Sequence, residues 1–284
     1  MENSSSRGGH YDRDPLDLEK ISSFPLKDPN TFVHCVKWHN IRDTVLTVDP
    51  KFVTTWSMGD GSLQQISKYA IPPSSSSSSL SLSLSPNSPN ISEWVSGNAA
   101  WDPHNQQICA LASGSSLRLV DTRTMEETAH VPDAHYGAVR DVDFNPNKPL
   151  MMITCGDDRK VKFWDARNLD TPVKTLAGHS HWAWTCRFNP FHDQLIVSGG
   201  TDNAVNLWRV ASVSSAPWLG ADEGEGNDVA DPPDVRVKLI DQHEESVYSI
   251  AWSSAVAWMY CSLSYDGRVI LNHVPSTEKY KILL

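Results

Sequence analysis

The sequence predicts an all-β chain folded as a β-propeller of about five recognisable blades, and three observations predict it. First, a fixed ruler recurs. Phe188 follows His179 after 9 residues and Asp202 follows it after 23, with Trp208 a further 6 beyond that Asp. His135, Phe144, Asp158 and Trp164 repeat the intervals 9, 23 and 6; His243, Trp252 and Asp266 repeat 9 and 23, with Asn272 at the Trp position. Second, the aromatic anchors Trp38, Trp101, Phe144, Phe188 and Trp252 are spaced 63, 43, 44 and 64 residues apart. Removing an insertion of about 20 residues from each long interval restores a period of about 40–45, the length of one blade. Third, 39% hydrophobic residues with 11 Trp in 284 suit many short, half-buried strands better than one helical core.

Taken in order, residues 1–30 read as a disordered polar N-terminus with a remnant strand at 16–24. The propeller spans 31–284. Its first blade, 31–71, contains strand-like Val33–Trp38, Thr44–Val48, Phe52–Trp56 and Gln64–Ile71. Trp56 stands at the Trp position there, but no His or Asp sits at the right interval. Residues 72–90 are too rich in Ser and Pro to bury a core and read as a solvated insertion. Ser85-Pro86 and Ser88-Pro89 are candidate proline-directed phosphorylation sites within it, a plain spacer being the alternative. In blade 95–131 the first strand ends at Ala99–Pro103, and Ile108–Ala112 and Leu117–Val120 follow; Val120-Asp121 replaces Trp-Asp and Gly114 replaces the turn Asp. Blades 135–176 and 179–240 are the best formed. An acidic insertion at 212–234 precedes the outer strand Val235–Ile240, and Lys279–Leu284 is expected as the fourth strand of the last blade, 243–284.

Composition narrows the function. A net charge of −10 disfavours nucleic acid, which needs a concentrated basic face. Cys35, Cys109, Cys155, Cys186 and Cys261 form no CxxC pair and sit among apolar residues, as buried reduced thiols do. The N-terminus lacks an apolar signal core, and no run of about 18 apolar residues offers a membrane span. A cytoplasmic protein without cofactor, metal or small-molecule substrate is expected.

His179, Ser198, Asp202 and Trp208 tempt a hydrolase reading. The same set recurs, however, as His135, Thr154, Asp158 and Trp164, and again as His243, Ser262 and Asp266. An enzyme needs one activated nucleophile, and no GxSxG elbow is present. A repeated sheet instead needs a buried polar latch in every copy, with the carboxylate on the His, the His on the hydroxyl and the hydroxyl on the indole. His181 beside His179 reads as a turn residue before a strand and not as a metal ligand.

The residues also carry a resemblance. Gly-His, Phe-Asn-Pro and Lys162-Phe163-Trp164-Asp165 resemble WD-repeat blades, the WD40-type propeller. DFNPNKP (143–149), CGDDRKVKFWDARN (155–168), HSHWAW (179–184), SLSYDGRV (262–269) and the terminal KYKILL are similar to the EARP-interacting protein family of WD-repeat proteins. The match is dense over 95–284 and loose over 16–71. It implies a non-enzymatic scaffold that associates with vesicle-tethering complex subunits in endosomal recycling and retrograde traffic, located peripherally at endosomes and the trans-Golgi network. The family carries further N-terminal chain, enough for a seven-blade ring, so an open or incomplete ring lacking the N-terminal blades is expected here.

WD propellers meet partners on a rim, three and five residues after the His and one before the turn Asp. Those offsets select Ala138, Arg140 and Asp157; Trp182, Trp184 and Thr201; and Ser246, Tyr248 and Tyr265. Aromatics near an Arg are what interface hot spots are made of, whereas Trp182 and Trp184 filling the inter-blade core is the alternative. Trp164, Asp165 and Arg167 have the WDxR form that in some WD proteins docks a cullin-type ubiquitin ligase adaptor, and Asp121-Thr122-Arg123 is a partial copy. A substrate receptor of such a ligase is therefore the second functional reading, unless the Arg simply pairs with a turn carboxylate.

Overall fold

The computed structural model describes residues 32–39, 41–59, 62–72, 97–215 and 234–283; the expected strand at 16–24 and most of both insertions lie outside them. Nineteen strands are described. The first sheet is β1 (Cys35–Trp38), β2 (Thr44–Val48), β3 (Phe52–Gly59) and β4 (Ser62–Ala70). The second is β5 (Asn98–Trp101), β6 (Ile108–Ser113), β7 (Ser116–Asp121) and β8 (Glu126–Val131). The third is β9 (Val139–Phe144), β10 (Met151–Gly156), β11 (Lys160–Asp165) and β12 (Lys174–Ala177). The fourth is β13 (Ala183–Phe188), β14 (Leu195–Gly200), β15 (Val205–Val210) and β16 (Asp234–Ile240), and the fifth is β17 (Val247–Trp252), β18 (Met259–Ser264) and β19 (Val269–His273). Each sheet pairs its strands antiparallel in chain order; short turns join most consecutive strands, and β16 pairs with β15 although the acidic insertion separates them.

The first strands of successive sheets, β1, β5, β9, β13 and β17, touch one another and so surround a common axis. Among the described residues the ring is not closed. Apolar burial lies between sheets. Ile153, Phe163, Phe188, Ile196 and Trp208 pack together between the third and fourth, while Leu195, Leu207, Val247, Ile250 and Tyr260 do so between the fourth and fifth. Middle strands such as β10 and β14 are therefore buried on both faces and read as continuous apolar runs.

Polar groups stitch the inner strands. Asn98 Nδ2 donates to Asp141 Oδ1 at 2.7 Å, and Thr185 Oγ1 and Arg187 Nη1 donate to Asp141 Oδ2 at 2.8 and 2.5 Å. Asp141 is thus a buried carboxylate shared by three sheets, satisfied on both oxygens as burial requires. The opposition of Asp141 and Asp143 holds the Arg187 guanidinium firmly protonated against the cost of its burial.

The expected fourth strand at Lys279–Leu284 is corrected. Ser276–Leu283 is a helix, α1. Pro275 supplies the carbonyl that accepts from the N–H groups of Glu278 and Lys279, and Glu, Lys and Leu favour helix. Glu278 reaches Arg209 of β15 at 3.3 Å, which ties the helix to the fourth sheet. The first sheet keeps part of a latch that its sequence had hidden, with Trp56 Nε1 donating to Thr47 Oγ1 at 2.9 Å.

Candidate functional site

The latch residues come together in all three repeats. In the third sheet Trp164 Nε1 donates to Thr154 Oγ1 at 2.8 Å, Thr154 Oγ1 lies 2.7 Å from His135 Nε2, and His135 Nδ1 lies 2.7 Å from Asp158 Oδ1. An indole can only donate, so the donor direction propagates. Thr154 donates to His135 Nε2, and His135, in its neutral Nδ1–H form, donates to Asp158. The fourth sheet repeats this through Trp208, Ser198, His179 and Asp202 at 2.9, 2.8 and 3.0 Å. In the fifth, Ser262 meets His243 at 2.8 Å and His243 meets Asp266 at 3.3 Å, but Asn272 supplies no indole donor. Ser198 is 0% exposed and its hydroxyl accepts from an indole, so no substrate reaches it as a nucleophile.

Glycines make the latches possible. A Cβ on Gly200 would lie 2.5 Å from Asp202 Oδ1, 2.6 Å from His179 Nδ1 and 2.9 Å from the Trp182 carbonyl. On Gly156 it would lie 2.6 Å from the Ala138 carbonyl and 2.9 Å from the His135 ring. Each stands two residues before the turn Asp, a recurrence visible in the sequence.

Two predictions follow from this chemistry. Thr154→Val keeps the shape but strands the Trp164 N–H and His135 Nε2, whereas Ser262→Ala strands His243 alone. At about 1–3 kcal/mol per orphaned buried group, the first should lose roughly twice the stability of the second in denaturant titrations, and equal losses would count against an indole-terminated chain. Burial lowers the His135 pKa below 6.5, so that the unfolded chain binds a proton more readily. Burial works against the Asp158 carboxylate, but hydrogen bonds from His135 and Lys162 prevail and hold it well below the usual range. Stability is therefore full above the unfolded His value, declines as pH falls through 6.5, and declines further as pH falls below the unfolded Asp value of 3.8. Melting temperatures flat from pH 7 to 4 would contradict it.

The same backbone that closes each latch builds the rim. The N–H of the residue before the turn Asp donates to the carbonyl three residues after the His in all three repeats: Asp157 to Ala138 at 2.9 Å, Thr201 to Trp182 at 2.9 Å, and Tyr265 to Ser246 at 3.1 Å. Positions far apart in sequence are thereby paired at one face. Arg140 forks onto Asp157, Nε to Oδ1 at 2.6 Å and Nη2 to Oδ2 at 2.9 Å. Its guanidinium lies 4.6 Å from the Trp184 ring and 5.1 Å from that of Trp182. Tyr248 and Tyr265 sit ring to ring at 4.6 Å. Neither Trp182 nor Trp184 belongs to the buried clusters on either side of the fourth sheet. Trp182 is 40% exposed and Tyr265 70%. Thr201 is taken up by His181. Tyr136, one after His135, is 92% exposed, and no offset selects it.

Elsewhere, Arg167 folds back onto Asp165, Nε to Oδ1 at 2.9 Å and Nη2 to Oδ2 at 2.6 Å, the pairing that the structural reading of WDxR calls for. All five cysteines are free; burial pushes the Cys109 thiol up to about 12. Among the described residues no helix is long and apolar enough to cross a membrane.

Comparison with known proteins places these features in context. Residues 87–208 match the family model described as the EIPR1 beta-propeller, and residues 235–271 match the WD domain, G-beta repeat. The chain is 39% identical over 291 residues to EARP and GARP complex-interacting protein 1 of Rattus norvegicus, covering 96% of this chain and 74% of the relative. It is 39% identical over 192 residues to EARP-interacting protein 1 of Caenorhabditis elegans, covering 66% and 53%. It is 34% identical over 244 residues to WD repeat-containing protein DWA2 of Arabidopsis thaliana, covering 85% and 63%. The chain spans between 60% and 74% of the length of the mammalian relatives it matches.

Proposed function

This chain belongs to the EARP-interacting protein family of WD-repeat β-propellers, and from that premise we propose that it is a non-enzymatic scaffold that binds vesicle-tethering complexes of the EARP and GARP type. The observation that carries this reading is the pre-organised rim. Arg140 is immobilised by Asp157 and two indoles, and Tyr248 and Tyr265 extend the same face. A partner pays little ordering entropy against side chains already held in place. Supporting it are the names of the relatives, which describe interaction with those complexes. The chain then works in the cytoplasm, held peripherally at endosomes and the trans-Golgi network through its partners, in recycling or retrograde traffic.

Affinity purification of the tagged full chain tests this. Tethering-complex subunits should co-purify and should be lost with Trp182→Ala. Recovery of a cullin and its adaptor instead, abolished by Arg167→Ala, would replace this reading with the ligase one.

A further inference from the structure

A second feature lies at the opposite end of the axis from the rim, where the inner strands end. The residue before each aromatic anchor occupies an equivalent axial position: Lys37, Ala100, Asp143, Arg187 and Ala251. Three of the five are charged. Ala100 is small, and its methyl group leaves a cavity of about 240 Å3 lined by Lys37 and Asp143 and walled by the Trp38 and Trp101 indoles. Pro103, Pro146 and Pro190, from three successive sheets, form its outer lip.

This lip is rigid because each proline follows a residue that caps its own turn and grips the next sheet. Asn145 Oδ1 accepts from the N–H groups of Asn147 and Lys148, both at 2.8 Å, while its Nδ2 donates to Asp193 at 2.8 Å. Asn189 does the same with Phe191 and His192, and its Nδ2 donates to the Ala257 carbonyl at 2.6 Å. Asp102 Oδ1 caps His104, whose ring meets the Asn145 carbonyl at 3.1 Å.

The polar groups inside are only partly used. Asp143 Oδ2 accepts from the Phe188 N–H at 3.0 Å, whereas its Oδ1 has no hydrogen-bond partner among the described residues. Burial raises the Asp143 carboxyl to about 6 despite the nearby Arg187, the state of a carboxylate short of donors. The Lys37 ammonium likewise makes no hydrogen bond or ion pair among the described residues. An acceptor and a donor thus face one small chamber otherwise walled by indole, phenyl and proline rings. Their charges cancel, so a charged ligand gains at one and loses at the other. A peptide group satisfies both, with its N–H on Asp143 and its carbonyl on Lys37. The volume falls below the ~300–1,000 Å3 of drug-sized pockets. It suits one apolar side chain with its adjoining amide.

We infer that this mouth is a second docking site, which takes an extended, uncharged segment of a partner protein by one apolar side chain and its backbone amide. It is independent of the rim, so failure at one leaves the other standing. The probe is N-acetyl-leucine N-methylamide, titrated into the full chain while the Trp indole N–H resonances are followed by NMR. The Trp38 and Trp101 signals should shift saturably, with a Kd of roughly millimolar for so small a ligand, and the Trp182 signal should not move. Ala100→Leu, which fills the chamber, should abolish saturation. Lys37→Met, on a partly exposed side chain whose loss leaves the packing intact, should weaken binding about fivefold, as should replacing the C-terminal amide of the probe by an ester. Shifts linear in probe concentration, or an unchanged midpoint in both variants at wild-type melting temperature, would overturn the site.

Discussion

Gly200→Ala is expected to lower the melting temperature by at least roughly 8 °C, the equivalent of about 4 kcal/mol for a chain of this size. The added methyl has nowhere to go. It would overlap the two atoms that form the His179–Asp202 bond and the Trp182 carbonyl, all of them in a buried, hydrogen-bonded turn. Relief requires opening the latch, which exposes the Ser198 hydroxyl and the Trp208 indole N–H to loss of their partners. Gly156→Ala should behave alike, because it meets the His135 ring and the Ala138 carbonyl. Gly59 is the control. Nothing lies within 4 Å of its would-be Cβ, and Gly59→Ala should change stability by no more than about 1 kcal/mol. Melting curves of the three variants decide the matter, and a Gly200→Ala curve that overlays the Gly59→Ala curve would show that the latch is not a closed, buried unit.

The second large effect concerns binding. Trp182→Ala together with Tyr265→Ala should reduce capture of tethering-complex subunits by about 30-fold or more, the usual cost of losing aromatic hot-spot residues. Both side chains are substantially exposed and belong to none of the buried clusters, so the melting temperature should stay near that of the wild type. Arg140→Ala should also weaken capture, while leaving Asp157 without its fork. Quantitative co-purification against thermal melts separates a docking defect from a folding defect. Undiminished capture by the double variant would move the docking surface elsewhere on the molecule.

Much of this was legible because strand length turns geometry into sequence interval. With His135 just ahead of β9, a residue in β10 and one in the following turn must stand 19 and 23 positions from it if a hydrogen-bonded chain is to cross the sheet, and Thr154 and Asp158 do. The rim offsets follow from the same clip, since the backbone bond from Tyr265 to Ser246 ties two numbers 19 apart. What stayed hidden lacked such a ruler. Thr47 meets Trp56 in a repeat whose His and Asp are gone, so nothing marked it as a partner. Asp141, Asn98 and Thr185 bond across three sheets at separations of 43 and 44, where no local periodicity speaks. The helix Ser276–Leu283 alternates polar and apolar residues at its end and passes for a strand until Pro275 is read as its first-turn acceptor. The chamber beside Ala100 comes from a missing side chain, and an alanine in a strand draws no attention.

One crossed measurement bears most directly on a latched scaffold with a docking rim: thermal stability and complex capture, recorded together for Gly200→Ala and for Trp182→Ala/Tyr265→Ala. Gly200→Ala should lose stability and, above its lowered melting temperature, capture with it; the rim pair should lose capture alone. A rim pair that still binds, or a Gly200→Ala chain that melts like the wild type, would contradict it.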